Sequence, residues 1–211
     1  MARPQPKRKA DLKIVILGSA NVGKTTLIHR YIQGKFEETI STIGASFSLK
    51  QWGPYNVAIW DTAGEERYAG LSSFYCRGAG AAILAFDLSS EESFQALRNR
   101  FLQLTQTAEE NCLYVVVGTK LDLLKDAKRE VTLQDGLLLT QEVNARLKLN
   151  DIPYFETSSI SGHNVSRVFE YILNYVLPLD GSAQNKKSPP GVVDLDGRKK
   201  GGEEERKSGC C

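Results

Sequence analysis

Gly18-Ser-Ala-Asn-Val-Gly-Lys-Thr25 sets two glycines five positions apart, followed at once by a lysine and a hydroxyl. Gly18 and Gly23 let the backbone curl around an anion, so successive amides face a β-phosphate at the start of a helix. Lys24 supplies a point charge to β- and γ-phosphates, and the Thr25 hydroxyl suits Mg²⁺. Asn21, Val22, Gly23 and Thr26 complete the nucleotide-binding set of this loop.

Two further carboxylates stand where strands should end. Asp61 opens Asp61-Thr-Ala-Gly64 after a strand ending in Trp60, a position that suits a water-mediated Mg²⁺ contact. Gly64 leaves an amide free to meet a γ-phosphate. The competing reading is a helix N-cap followed by a turn; the spacing after a phosphate loop disfavours it. Asp122, in Gly118-Thr-Lys-Leu-Asp122, can accept two hydrogen bonds from N1 and N2 of guanine, a pattern adenine cannot donate. Lys120 can lay its stem along the base. In isolation that tetrapeptide reads as a solvated Lys–Asp turn. Glu156-Thr-Ser-Ser159 adds a loop whose amides can meet the base oxygen.

Such residues need strand ends to hold them. Apolar, β-branched runs at Leu12–Leu17, Tyr55–Trp60, Ala81–Phe86, Leu113–Val117 and Pro153–Glu156 read as strands, with another at Ala45–Trp52. Helical patterns cover Lys24–Gln33, Ser90–Thr107, Leu133–Leu147 and Val165–Val176. Strands alternating with helices predict an α/β fold, a three-layer domain whose six-stranded, mostly parallel sheet has helices on both faces. Gly53-Pro54 predicts a hairpin, hence one antiparallel edge.

The chain has 211 residues, net charge +2 and 41% hydrophobic residues, enough for one domain with tails. Nothing in that balance argues for nucleic acid. Cys76 and Cys112 read as ordinary buried thiols of a reducing compartment. No secretory signal and no run long enough to span a bilayer is seen. The expected organisation is a disordered extension at 1–10, a nucleotide-binding domain at 11–178 and a flexible tail at 179–211.

These motifs make the chain resemble a Ras-superfamily small GTPase of the Rab family over about residues 12–177. Rab-like pieces are Ser41-Thr-Ile-Gly-Ala-Ser-Phe47, Ile59-Trp-Asp-Thr-Ala-Gly64, Tyr75-Cys-Arg-Gly-Ala79, Ala85-Phe-Asp-Leu88 and the terminal Cys210-Cys211. Lys50-Gln-Trp52 and Tyr75-Cys-Arg resemble the Rab-twenty type in particular. The resemblance implies that Thr42 binds Mg²⁺ and the γ-phosphate, with Thr25 and Asp61 completing the metal site. It implies that Phe36 flanks the guanine, and that Ser158, Ser159 and Ile160 form the base loop with Thr119, Lys120 and Asp122. Phe47, Trp60 and Tyr75 match the aromatic triad that meets effectors. GTP or GDP with Mg²⁺ would order the loops carrying Thr42 and Gly64, and hydrolysis would release them.

The chain departs from the family at several points. Glu65 stands where a glutamine usually orients the attacking water. A carboxylate cannot donate to the γ-phosphate, and its charge opposes the phosphate oxygens, so slow intrinsic hydrolysis is expected. Ala20 is a small intrusion beside the γ-phosphate. Thr119 replaces an asparagine, and its hydroxyl can tie loops together with fewer hydrogen bonds. Ile160 replaces a lysine and brings no charge.

The tail's charges nearly cancel, so a membrane must be held mainly by lipid. Cys210 and Cys211 resemble a double-geranylgeranyl signal, and two chains anchor where one does not. The expected protein is a monomeric Rab-like GTPase in vesicle traffic, on the cytoplasmic face of endomembranes (Golgi, endosome or phagosome) with a cytosolic pool. Its implied partners are an exchange factor, a GTPase-activating protein, a Rab escort protein with geranylgeranyl transferase, a GDP-dissociation inhibitor and effectors. A GTP-bound scaffold that hardly turns over is the alternative. A P-loop kinase would need an acceptor lid for which no insertion is visible.

Overall fold

The computed structural model describes residues 10–64, 74–104 and 108–179. Expectations for Glu65, for residues 1–9 and for the tail beyond Leu179 lie outside the described residues.

Six strands form one sheet: β1 (Leu12–Leu17), β2 (Ala45–Trp52), β3 (Tyr55–Thr62), β4 (Ala81–Asp87), β5 (Leu113–Thr119) and β6 (Tyr154–Glu156). Their spatial order is β2-β3-β1-β4-β5-β6. All neighbours run parallel except β2 and β3. Trp52 pairs with Tyr55, so Gly53-Pro54 is a two-residue loop. Gly53 has φ 53°, the positive value that a tight hairpin needs at its first loop position.

Among the described residues, the sheet is covered by helices α1 (Lys24–Gln33), α2 (Glu91–Ala96), α3 (Leu133–Val143) and α4 (Val165–Val176). In α4 the buried residues Val165, Val168, Phe169, Ile172 and Leu173 follow helical spacing and form one apolar stripe. They meet Leu27 and Ile28 of α1 and the side chains of Leu12, Ile14 and Ile16 from β1. Phe169 stacks on Tyr31 with ring centroids 3.8 Å apart. On the other face, Val15 and Leu17 share a core with Phe94, Leu97 and Leu139. Each large apolar side chain buried in these layers contributes about 1.5–3 kcal/mol.

Two helices differ from expectation. The helix expected at Ser90–Thr107 starts at Glu91, because extended Ser90 caps it through a bond from Ser93 N. It then widens at Leu97–Phe101, where Leu102 N reaches back to Leu97 O. The helix expected to reach Leu147 stops at Val143. There the Asn144 side chain turns to β5, accepting from Tyr114 N at 3.0 Å and donating to Tyr114 O at 2.8 Å. β3 also runs two residues past Trp60, so Asp61 is held inside a strand.

Cys76 and Cys112 are free and buried, and burial pushes their thiols up to about 11 and about 12. Among the described residues, no helix is long and apolar enough to cross a membrane.

Candidate functional site

Residues that follow β1, β3, β5 and β6 line one cavity of about 410 Å³. At its phosphate end, Gly18 has φ 148°, and a Cβ there would meet Ala85 O at 2.1 Å. Only glycine lets the loop start this close to β4. Gly23, at φ 91°, begins α1. Lys24 is 6% exposed and donates from Nζ to Ser19 O at 2.7 Å. Burial lowers its ammonium pKa to about 8, against the opposing pull of the Asp61 carboxylate.

Three oxygen groups meet beside Lys24. The Thr25 hydroxyl donates to Asp61 Oδ2 at 2.7 Å, the Thr42 hydroxyl donates to the same oxygen at 3.0 Å, and the two hydroxyls are 2.8 Å apart. Asp61 Oδ1 is buried without a hydrogen-bond partner among the described residues. Burial raises the Asp61 carboxyl above its ordinary value, against the bonds from both threonines and the charge of Lys24. Gly64 lies against the phosphate loop, where an added Cβ would meet Ala20 N and Ser19 C at 2.3 Å.

At the other end, Lys120, Asp122, Leu123, Ser159, Ile160 and Phe36 line the wall. The Thr119 hydroxyl lies 2.6 Å from Val22 O and 2.8 Å from Phe86 O, tying the phosphate loop to β4 and β5. Lys120 takes a left-handed conformation, φ 59°, and its Nζ pairs with Asp87 Oδ2 at 2.8 Å. Leu121 N donates to Thr157 O, and Thr157 N to Gly118 O, so the base loop is stitched to β5.

Three expected residues, Val22, Ser158 and Asp61, stay out of the cavity wall. Val22 is buried in the core, and Ser158 is buried with its amide donating to His163 O. Asp61 sits behind Thr25 and Thr42 and reaches the cavity through them. Ala85-Phe-Asp-Leu88 contains Asp87 but assigns it no role, and no motif contains Arg129. Arg129 holds Glu156 with two bonds, 2.7 and 2.8 Å, and Tyr154 OH adds a third at 3.0 Å. An acidic residue closing the otherwise apolar run of β4 was the available signal for Asp87; Arg129 has none, because its partner lies 27 residues on.

Outside the cavity, Phe47, Trp60 and Tyr75 form a continuous aromatic face. Phe47 and Trp60 stack at 5.4 Å, Trp60 and Tyr75 lie 5.6 Å apart, and Phe47 is 58% exposed. Lys13 Nζ covers the Trp60 ring from 4.8 Å.

The Ras family model matches residues 13–177. The chain is 39% identical over 235 aligned positions to Ras-related protein Rab-20 of Homo sapiens, covering 97% of this chain and 99% of that protein. The chain belongs to the Ras family of small GTPases, on its Rab branch. This Rab GTPase is also similar to Ras-related protein Rab-20 of Mus musculus, at 37% identity over 97% of the chain and 99% of that protein. Ras-related protein Rab-24 of Dictyostelium discoideum matches at 37% identity with the same coverage. As a Rab GTPase it is a GTP-binding switch and hydrolase of vesicle traffic. The family works with exchange factors, activating proteins, dissociation inhibitors and effectors at endomembranes.

Proposed function

We propose that this Rab is a slow GTP-hydrolysing switch anchored by geranylgeranyl groups on Cys210 and Cys211, acting on the cytoplasmic face of Golgi, endosomal or phagosomal membranes. The observation that carries the nucleotide reading is the meeting of Thr25, Thr42 and Asp61 beside Lys24. All three donors are hard oxygens, and Asp61 Oδ1 has no other partner among the described residues, so they fit Mg²⁺. Thr25, Thr42 and Asp61 would hold Mg²⁺, which would supply neutralisation of phosphate charge there. Lys24 then exchanges its bond to Ser19 O for phosphate. Asn21, Gly23 and Thr26 line the phosphates, and Gly64 offers its amide to the γ-phosphate.

Asp122 reads guanine, with Phe36, Lys120, Ser159 and Ile160 around the base. Phe47, Trp60 and Tyr75 present the nucleotide state to effectors. The escort protein and transferase act on the tail.

Glu65 decides the rate. Its carboxylate cannot donate to the γ-phosphate, so water is poorly oriented until a partner completes the site. Single-turnover hydrolysis of Glu65→Gln should exceed the natural rate by about tenfold or more. Equal rates would remove Glu65 as the cause. Glu65 also favours a second reading, a GTP-bound scaffold. Hydrolysis that stays slow with every activating protein supplied would select it. Mass spectrometry of the protein from eukaryotic cells tests the two lipids directly.

A further inference from the structure

Residues 34–44 join α1 to β2, and Phe36 with residues 38–42 lines the cavity. Little apolar burial holds this loop, because Ile40 is 91% exposed and Ile43 80%. Lys35 and Glu37 pair with each other, inside the loop. Among the described residues, the hydrogen bonds from residues 35–43 to the rest of the domain are those of Thr39 and Thr42.

These bonds make two rungs onto the first turn of α1. In one, Thr42 meets Thr25 and Asp61. In the other, Thr39 meets Thr26, with the two hydroxyls 3.0 Å apart and both residues half-buried. The rungs differ in what else their residues do. Thr25 and Thr42 would hold Mg²⁺, so their rung answers to the ligand. Neither Thr26 nor Thr39 is a metal residue, so theirs does not. Thr39 stands three residues before Thr42, a span of at most about 10 Å. A loop pinned at Thr39 therefore keeps Thr42 close to Asp61.

We propose that Thr39 is a positioning residue of this GTPase: its hydroxyl, clasped to Thr26, keeps loop 34–44 on the cavity when metal and γ-phosphate are absent, and so slows release of GDP. This role rests on the nucleotide occupying the cavity as proposed above. One neutral, partly buried hydrogen bond is a modest lock, worth about fivefold. It delays GDP without preventing exchange. Because neither hydroxyl is a metal residue, the lock holds equally with Mg²⁺ present or chelated. Thr39 also lines the cavity, and a direct bond from its hydroxyl to nucleotide is the competing account. The clasp is favoured because the Thr39 hydroxyl already has its partner in Thr26.

The test follows release of a fluorescent GDP from the full chain, in Mg²⁺ and again with a chelator. Thr39→Val keeps the side-chain shape and removes the hydroxyl. It should release GDP about fivefold faster than the natural chain in both conditions. Thr39→Ser keeps the hydroxyl and should release GDP at the natural rate. Thr26 touches the cavity, so Thr26→Val changes release by itself, but adding Thr39→Val to it should change nothing further. An unchanged rate in Thr39→Val overturns the clasp, as does a difference seen only with Mg²⁺, or a Thr39→Ser chain as fast as Thr39→Val. A full effect of Thr39→Val on top of Thr26→Val also overturns it, in favour of a direct contact with nucleotide. Hydrogen exchange of residues 35–43 reads the clasp apart from the release rate. Protection there should fall in Thr39→Val and persist in Thr39→Ser, and equal protection in all three chains overturns the clasp. Asp122→Ala tests the nucleotide reading separately. If it releases GDP no faster than the natural chain, the base site is misassigned, and the exchange result still decides the clasp.

Discussion

Lys120 and Asp87 form an ion pair of 2.8 Å that ties the base end of the cavity to the end of β4. Asp87 is itself fixed, because Ser89 donates to Oδ1 from its amide and its hydroxyl at 2.9 and 2.7 Å. Burial pushes the Asp87 carboxyl up, but Lys120 and Ser89 together hold it below its ordinary value. Lys120 is thus oriented before nucleotide arrives. Asp87→Asn should speed release of a fluorescent GDP by about tenfold, from loss of a charge-assisted bond worth about 1.5–3 kcal/mol. An unchanged release rate would show that the pair does not support the base site.

Lys24 makes binding pH-dependent. With nucleotide absent its pKa is about 8, lowered by burial from 10.5. Bound phosphates favour the charged form, so at pH above about 8 binding takes up a proton and affinity falls as pH rises. Calorimetry of GDP binding near pH 9, in buffers of different ionisation enthalpy, should show that uptake. The fold itself responds in the opposite sense. The depressed pKa is a penalty carried below about 8 and relieved as pH rises towards 10.5, so the nucleotide-free protein gains stability over that window.

Arg129→Ala should cost about 1 kcal/mol of stability by leaving the Glu156 carboxylate without its bidentate partner. Denaturant titration at neutral pH measures it. The bonds from Arg129 outweigh burial and lower the Glu156 pKa. Its contribution is therefore full above the unfolded value of about 4.3 and is lost as pH falls through the folded value. The gap between natural protein and variant should close in acid.

Gly64→Ala should leave GDP bound but impair the response to GTP. The added methyl would fall 2.3 Å from backbone atoms of Ser19 and Ala20, which cannot yield as a flexible side chain would. Hydrolysis should fall by about a hundredfold. Normal hydrolysis would mean that Gly64 need not approach the loop.

The sheet was legible because its strands are near-continuous apolar runs, and the phosphate loop because its chemistry is local in sequence. Lys24, Thr25 and Asp61 could be singled out from their motifs, and the fold brings them together. What spacing hides is what the fold joins from afar. Thr119 bridges Val22 and Phe86, Arg129 clasps Glu156, and Asp87 meets Lys120, each across many residues. The early end of α3 was hidden for the same reason. Asn144 leaves the helix for a strand that helical periodicity cannot see.

β3 alternates its side chains, so Asp61 and Trp60 point to opposite faces while sharing one peptide bond. The carboxylate beside Lys24 and the centre of the exposed aromatic face are therefore a single rigid part. No lever or relay separates them, and a one-residue insertion in β3 would exchange their faces. Such a chain could keep both residues and lose the link between them.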